Sequence, residues 1–289
     1  MSWYQARLYP PRGQSFAGLH IYCQGAGDPA VMFEAGIGGS YLDFIPIQKQ
    51  VARFTRACTY DRAGLGWSES SPRPRTAQNA AAELLGALGK AGMTNPVVMV
   101  AHSYGALVAQ SVAVQAPERL AALILLDPSY PAELRVEGAP SAGLAPVLPV
   151  LAMLGVWRFR ELFEASDPRI SPEAGREMAA LTSRTGHLRT FFKELQALPE
   201  SSHFLELHPA PARLEDPPVI VLGRGLADGS PDLAARHAQQ RNLALAFPLG
   251  SFEVLDGTSH FLYLDAPEKI VAKVRENVES ARHAAIATF

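Results

Sequence analysis

Seven short apolar runs, separated by stretches of helical periodicity, constrain this chain more than any other feature. They fall at 19–23, 31–35, 57–60, 97–101, 122–127, 219–223 and 252–255. Runs of this length, bounded by turn residues, read as strands, and strands alternating with helices read as a mainly parallel sheet with both faces covered. Helices are expected at 76–91, ending near Gly92, where a left-handed residue closes a helix easily, and at 104–115, stopping short of Pro117. The last helix is expected at 267–282. Between Pro128 and Pro218 the strand rhythm gives way to a proline-punctuated helical stretch, with helices at 173–183 and 187–198. An insertion at that point covers the C-terminal ends of the strands, where open α/β sheets bind ligands. The expectation is one α/β core built from residues 1–130 and 213–289, with a helical cap at 131–212.

Composition narrows the function. At 289 residues the chain buries a sizeable core. Apolar residues make up 48%, charged residues 19%, and the formal net charge is −2, which removes the disordered class and the basic footprint of a nucleic-acid binder. Cys23 and Cys58 each lie in a strand-like run; separate buried thiols, pointing to a reducing compartment, are the preferred reading, with a disulfide between them as the alternative. No C-x-x-C zinc spacing occurs. The first residues lack a signal-peptide pattern, and the most apolar stretch, 142–157, is interrupted by Pro146 and Pro149 and falls short of the roughly 20 residues a membrane helix needs. A cytoplasmic protein without a membrane span is therefore expected.

The chemistry concentrates where the strand Val97-Val98-Met99-Val100 runs into Ala101-His102-Ser103-Tyr104-Gly105 and then a helix. A serine at such a turn projects its hydroxyl above the sheet, provided the residues two before and two after are small. Ala101 and Gly105 are small. This turn resembles the G-x-S-x-G nucleophile elbow of the α/β-hydrolase superfamily, with alanine at the first glycine. The stretch Tyr60-Asp61-Arg62-Ala63-Gly64-Leu65-Gly66-Trp67-Ser68 resembles that superfamily's D-x-R-G-x-G-x-S loop, and its Asp61 and Arg62 are expected to brace a neighbouring loop, with Glu34 as a candidate contact.

The resemblance implies an α/β-hydrolase fold and a serine hydrolase that needs neither cofactor nor metal. Ser103 would be the nucleophile. A serine hydroxyl needs a base, and His260, in Asp256-Gly257-Thr258-Ser259-His260-Phe261 after the last strand, stands where the superfamily carries it. His102, next to the serine, emerges on a different side of the turn and is read as support. For the acid that orients the imidazole, the resemblance favours Asp228, in the loop after 219–223, with Asp127 at the end of strand 122–127 as the alternative and Asp232 third. The oxyanion of an acyl-transfer intermediate needs backbone donors. Tyr104 N–H, at the start of the helix after Ser103, is one; matching the loop Glu34-Ala35-Gly36-Ile37-Gly38-Gly39-Ser40 to the superfamily's His-Gly-x makes Ile37 the other.

A serine at the elbow excludes the alkyl-ester chemistry of relatives that carry aspartate there, and leaves acyl transfer. The insertion's Leu148, Met153, Trp157, Phe159, Phe191 and Phe192 suggest an apolar pocket for a small to medium acyl ester, or else form the cap's own core. A carbon–carbon bond hydrolase or acyltransferase on the same triad, and a ligand-binding receptor without turnover, are the alternatives. The oligomeric state has no mark in the sequence.

Overall fold

The computed structural model describes residues 9–129, 169–208, 218–226 and 233–287. Its eight strands form one sheet: β1 (Gln14–Phe16), β2 (Leu19–Gln24), β3 (Val31–Glu34), β4 (Ala57–Tyr60), β5 (Val97–His102), β6 (Leu120–Leu126), β7 (Val219–Arg224) and β8 (Gly250–Leu255). The spatial order is β1-β2-β4-β3-β5-β6-β7-β8. Only β1 and β2 run antiparallel to their neighbours, and every pair from β4 to β8 is parallel. The α/β-hydrolase architecture expected from the sequence is the one found. The sequence reading missed β1, a three-residue edge strand too short and too polar to register as an apolar run.

Period-two alternation along the central strands builds two cores. Met32, Met99, Leu123 and Val221 face one side, against helices α2 (Ala77–Lys90) and α3 (Gly105–Gln115). Phe33, Val98, Val100, Ile124 and Leu222 face the other, against α1 (Ile45–Val51) and the last helix. Because β5 and β6 are covered on both faces, both read as near-continuous apolar runs. Thr76 caps α2 by accepting from Asn79 N–H, which fixes the start the sequence suggested.

Between β6 and β7 the described residues form three helices: α4 (Pro172–Thr182), α5 (Thr185–Gln196) and α6 (Leu198–Leu207). The helix expected at 187–198 is α5, two residues shorter at its end, and the sequence reading missed α6, which opens with Pro199 in its first turn, where the missing backbone donor costs nothing. Beyond β7 come α7 (Leu233–Leu245), α8 (Leu262–Asp265) and α9 (Pro267–Ala287). The apolar stretch 142–157, with Leu148, Met153 and Trp157, lies outside the described residues, as does Phe159. Among the described residues no helix is long and apolar enough to cross a membrane.

The cysteine expectation is overturned. Cys23 and Cys58 are direct partners in the antiparallel β2–β4 register, with Cα atoms 4.0 Å apart, and are joined as a disulfide. A register linking residues 35 positions apart is set by the sheet and is invisible in either local run. The argument from separate thiols to a reducing compartment loses its basis.

Candidate active site

Strand β5 ends at His102, and the chain turns through Ser103 with φ +53° into α3. Side-chain-bearing residues at positive φ are uncommon and strained by roughly 1–3 kcal/mol. The turn is held open by its neighbours: Ser103 N–H donates to Leu126 O (3.0 Å), and Ser129 N–H donates to Ser103 O (3.2 Å). Gly105 has no room for a side chain, since a β-carbon there would sit 2.6 Å from Ala35 O and 2.8 Å from Glu34 O. Ala101 is fully buried, so its methyl is accommodated where the superfamily motif has glycine. Tyr104 precedes the first residue of α3, placing its N–H among the donors a helix leaves without an intrahelical acceptor.

His260 reaches Ser103 from the other end of the chain. The turn after β8 is locked by Thr258 Oγ1, which donates to Leu255 O, and by Asp265, which accepts from both Ser259 N–H and Ser259 Oγ at 2.6 Å. His102 donates from Nε2 to His260 O (2.8 Å), with the two rings 4.5 Å apart. Burial, assisted by the neighbouring His260, holds His102 neutral and lowers its pKa to about 3. His260 Nε2 lies 3.0 Å from Ser103 Oγ, and its Nδ1 lies 2.5 Å from Asp127 Oδ2. With Nδ1–H donating to the carboxylate, Nε2 is free to accept the serine proton.

The carboxylate on the ring is thus Asp127, the sequence's alternative acid, at the first position past β6; the favoured Asp228, like Asp232, lies outside the described residues. Asp127 also has positive φ (+38°), and its N–H donates to Leu222 O of β7 (2.7 Å). Its second oxygen, Oδ1, accepts from Arg236 Nε (2.9 Å) and Gln240 Nε2 (2.7 Å), one turn apart on α7. Arg224 Nη1 stands 3.6 Å from Oδ2. Burial alone would raise the Asp127 pKa, but the bond from His260 and the charge and bond of Arg236 outweigh it and hold the group below the usual carboxylate range. Sequence reasoning did not find Arg236 and Gln240, whose only signal is buried polar character on one face of a helix.

The loop after β3 approaches the serine from the opposite side. A β-carbon on Gly36 would lie 3.5 Å from Ser103 Cβ, an ordinary contact, but only 3.1 Å from His102 Nδ1, so a side chain here would press on the elbow. Arg62, buried beneath the loop, donates to Ala35 O (2.8 Å), Gly36 O (2.7 Å) and Glu34 Oε1 (2.5 Å), the bracing expected of the Asp61-Arg62 stretch. Tyr60 donates to the other Glu34 oxygen. Burial raises the Glu34 pKa to about 7 against the opposing pull of Arg62. Asp61 accepts from Tyr41 N–H and Trp67 N–H and so shapes the neighbouring turn.

Ser103 and His260 open into a cavity of about 410 Å³ lined by Gly36, Ile37, Gly38, Ile170, Met178, Phe261, Tyr263 and Leu264. A second cleft of about 600 Å³ shares Asp43, Ile170, Met178 and Leu264 with it and continues along α4.

Comparison with known proteins agrees with this architecture. The chain is 34% identical over 128 residues to the uncharacterized protein YqjL of Bacillus subtilis, a match covering 44% of this chain and 50% of that protein. It is 31% identical over 90 residues to an AB hydrolase superfamily protein of Gibberella zeae, covering 31% of this chain and 28% of that one. The chain thus spans half or less of the length of these curated relatives. Among solved structures, an esterase from Thermogutta terrifontis superimposes with TM-score 0.66 at 20% identity, covering 91% of this chain and 93% of that one. The epoxide hydrolase VrEH1 from Vigna radiata gives 0.71 at 19% identity, covering 93% and 97%. Residues 21–274 match the family described as "Alpha/beta hydrolase family", and the chain belongs to it.

Proposed function

We propose that the protein is a serine hydrolase that cleaves an ester or related acyl bond of a small to medium apolar substrate through an acyl-enzyme intermediate. One observation carries the reading: an unbroken hydrogen-bonded chain from Asp127 through His260 to Ser103 at a strained, cavity-facing turn. His260 Nε2 takes the proton as Ser103 Oγ attacks the acyl carbon, and Asp127 stabilises the imidazolium that forms. The proton then passes from Nε2 to the leaving alkoxide as the acyl–oxygen bond breaks. Water, deprotonated by the same nitrogen, attacks the acyl-serine and releases the acid, returning the proton to Ser103. Ile37 N–H and Tyr104 N–H are the donors assigned to the tetrahedral oxyanion, a type of contact worth about 3 kcal/mol each. Ile170, Met178, Phe261 and Leu264 supply the apolar wall expected for the acyl group.

A fluorophosphonate probe tests the proposal, because it phosphonylates only an activated serine. Intact-mass analysis should show one adduct on the wild type and none on Ser103→Ala, and hydrolysis of aryl esters of graded chain length should fall by at least about 10³-fold in that variant. A wild type that neither reacts with the probe nor hydrolyses any ester of the series would favour a binding protein on the same fold.

A further inference from the structure

Helix α5 makes an unusual contact for part of an insertion. Its buried stripe is polar: His187, Thr190 and Glu194 are all less than 8% exposed, spaced so that they share one face. A buried carboxylate is costly unless it is paired. Glu194 is paired with the loop apparatus itself, accepting from Arg62 Nε (2.7 Å) and Nη2 (2.9 Å) and from Gly38 N–H (3.0 Å). His187 donates from Nε2 to Gly38 O (2.8 Å), while its Nδ1 accepts from Gly66 N–H (3.0 Å). Phe191, between them, packs so closely that Gly38, at φ +60°, has no space for a β-carbon.

These contacts flank Ile37. A trans peptide points its C=O and N–H in opposite directions. Arg62 Nη2 holds Gly36 O and so sets the direction of Ile37 N–H, which belongs to the same peptide and finds no acceptor among the described residues. The next peptide is pinned through Gly38 N–H by Glu194, and the one after through Gly38 O by His187. Glu194 acts twice, since it also fixes the guanidinium that holds Gly36 O.

We propose that Glu194 and His187 are positioning residues for the oxyanion-binding loop, so that α5 belongs to the catalytic apparatus as well as to the cover over it. The inference rests on the acyl-transfer reading above. Neither residue touches the reacting atoms; both act by holding Ile37 N–H where the oxyanion forms. The cost of losing them should therefore fall on the transition state and spare substrate binding.

The test compares Glu194→Ala, Glu194→Gln and His187→Ala with the wild type, using aryl-ester kinetics, inhibition by a trifluoromethyl ketone, and amide hydrogen exchange over residues 34–44. Glu194→Ala should lower kcat by about 10- to 100-fold with KM nearly unchanged, weaken the ketone in proportion, and raise exchange in that peptide. Glu194→Gln keeps one acceptor oxygen, enough for Gly38 N–H and Arg62 Nη2 but not for Arg62 Nε as well, and should recover part of the loss. His187→Ala leaves the Arg62 ion pairs intact and should show the same pattern more weakly, so it carries the test if Glu194→Ala does not fold. Wild-type kcat and exchange in folded His187→Ala, or in Glu194→Ala where it folds, or a loss confined to melting temperature, overturns the proposal. A wild type that fluorophosphonate fails to label overturns the acyl-transfer reading and this one with it, whereas a labelled wild type with unmoved exchange overturns this one alone.

Discussion

Asp127 sits with one oxygen on His260 and the other on Arg236 and Gln240, so its charge is both used and supported. Asp127→Asn keeps the shape but removes the charge that would stabilise the imidazolium. It should lower kcat for an aryl ester by roughly 10³- to 10⁴-fold, while Asp228→Asn should leave kcat close to wild type; the reverse outcome would move the acid to the loop after β7. Ser103 and His260 were legible because each lies in a local pattern, a strand-to-helix turn with small flanks and a turn between the last strand and the last helix. Asp127 was harder to rank. What distinguishes it, a positive φ and a hydrogen bond to Leu222 O, exists only once β6 lies beside β7. The one local sign was a carboxylate directly after the buried run Ala122–Leu126, where strand C-termini gather the ligand-facing residues.

At the level of elements, α7 turns a partly polar helix into a brace, because Arg236 and Gln240 share a face and both point at Asp127. Arg236→Met removes the closest guanidinium and leaves a buried carboxylate with less compensation, which should cost about 3 kcal/mol in urea denaturation and lower kcat without a matching rise in KM. An unchanged denaturation midpoint would mean that Arg224 suffices. Such a brace could not be read in advance. Helix periodicity tells which side of α7 is buried, but which carboxylate it meets depends on how α7 packs on β7 and β8. The same limit applies to α5, where the role of His187 depends on the loop bearing Gly38 lying beneath it. Strands β3 to β7 were legible because double-sided burial writes itself as apolar runs, whereas β1 has only an edge pairing to hold it.

Across the whole molecule, buried titratable groups of opposite sense shape stability against pH. Burial lowers the pKa of His102 to about 3 and of His187 to about 4, from an ordinary 6.5. Below 6.5 the unfolded chain takes up protons that the folded chain refuses, so each histidine's contribution is complete above that pH and is lost as pH falls toward its folded value. Glu34, raised from 4.5 to about 7, has the opposite sign: its contribution is lost as pH rises through that interval. Two groups against one leave stability rising with pH, by on the order of 1 kcal/mol per unit, between about 4.5 and 6.5. Urea titrations at the two ends should show that rise, and Glu34→Gln should steepen it; a flat wild-type profile would mean that the histidines are charged when folded. The distance along the chain between base and nucleophile has its own consequence. His260 follows Ser103 by 157 residues and is presented by the turn leaving β8, the outermost strand on its side of the sheet. On the proposed mechanism a growing or refolding polypeptide stays chemically silent until that outermost strand is zipped into place, so the return of turnover would time the pairing of β8 and not the initial collapse.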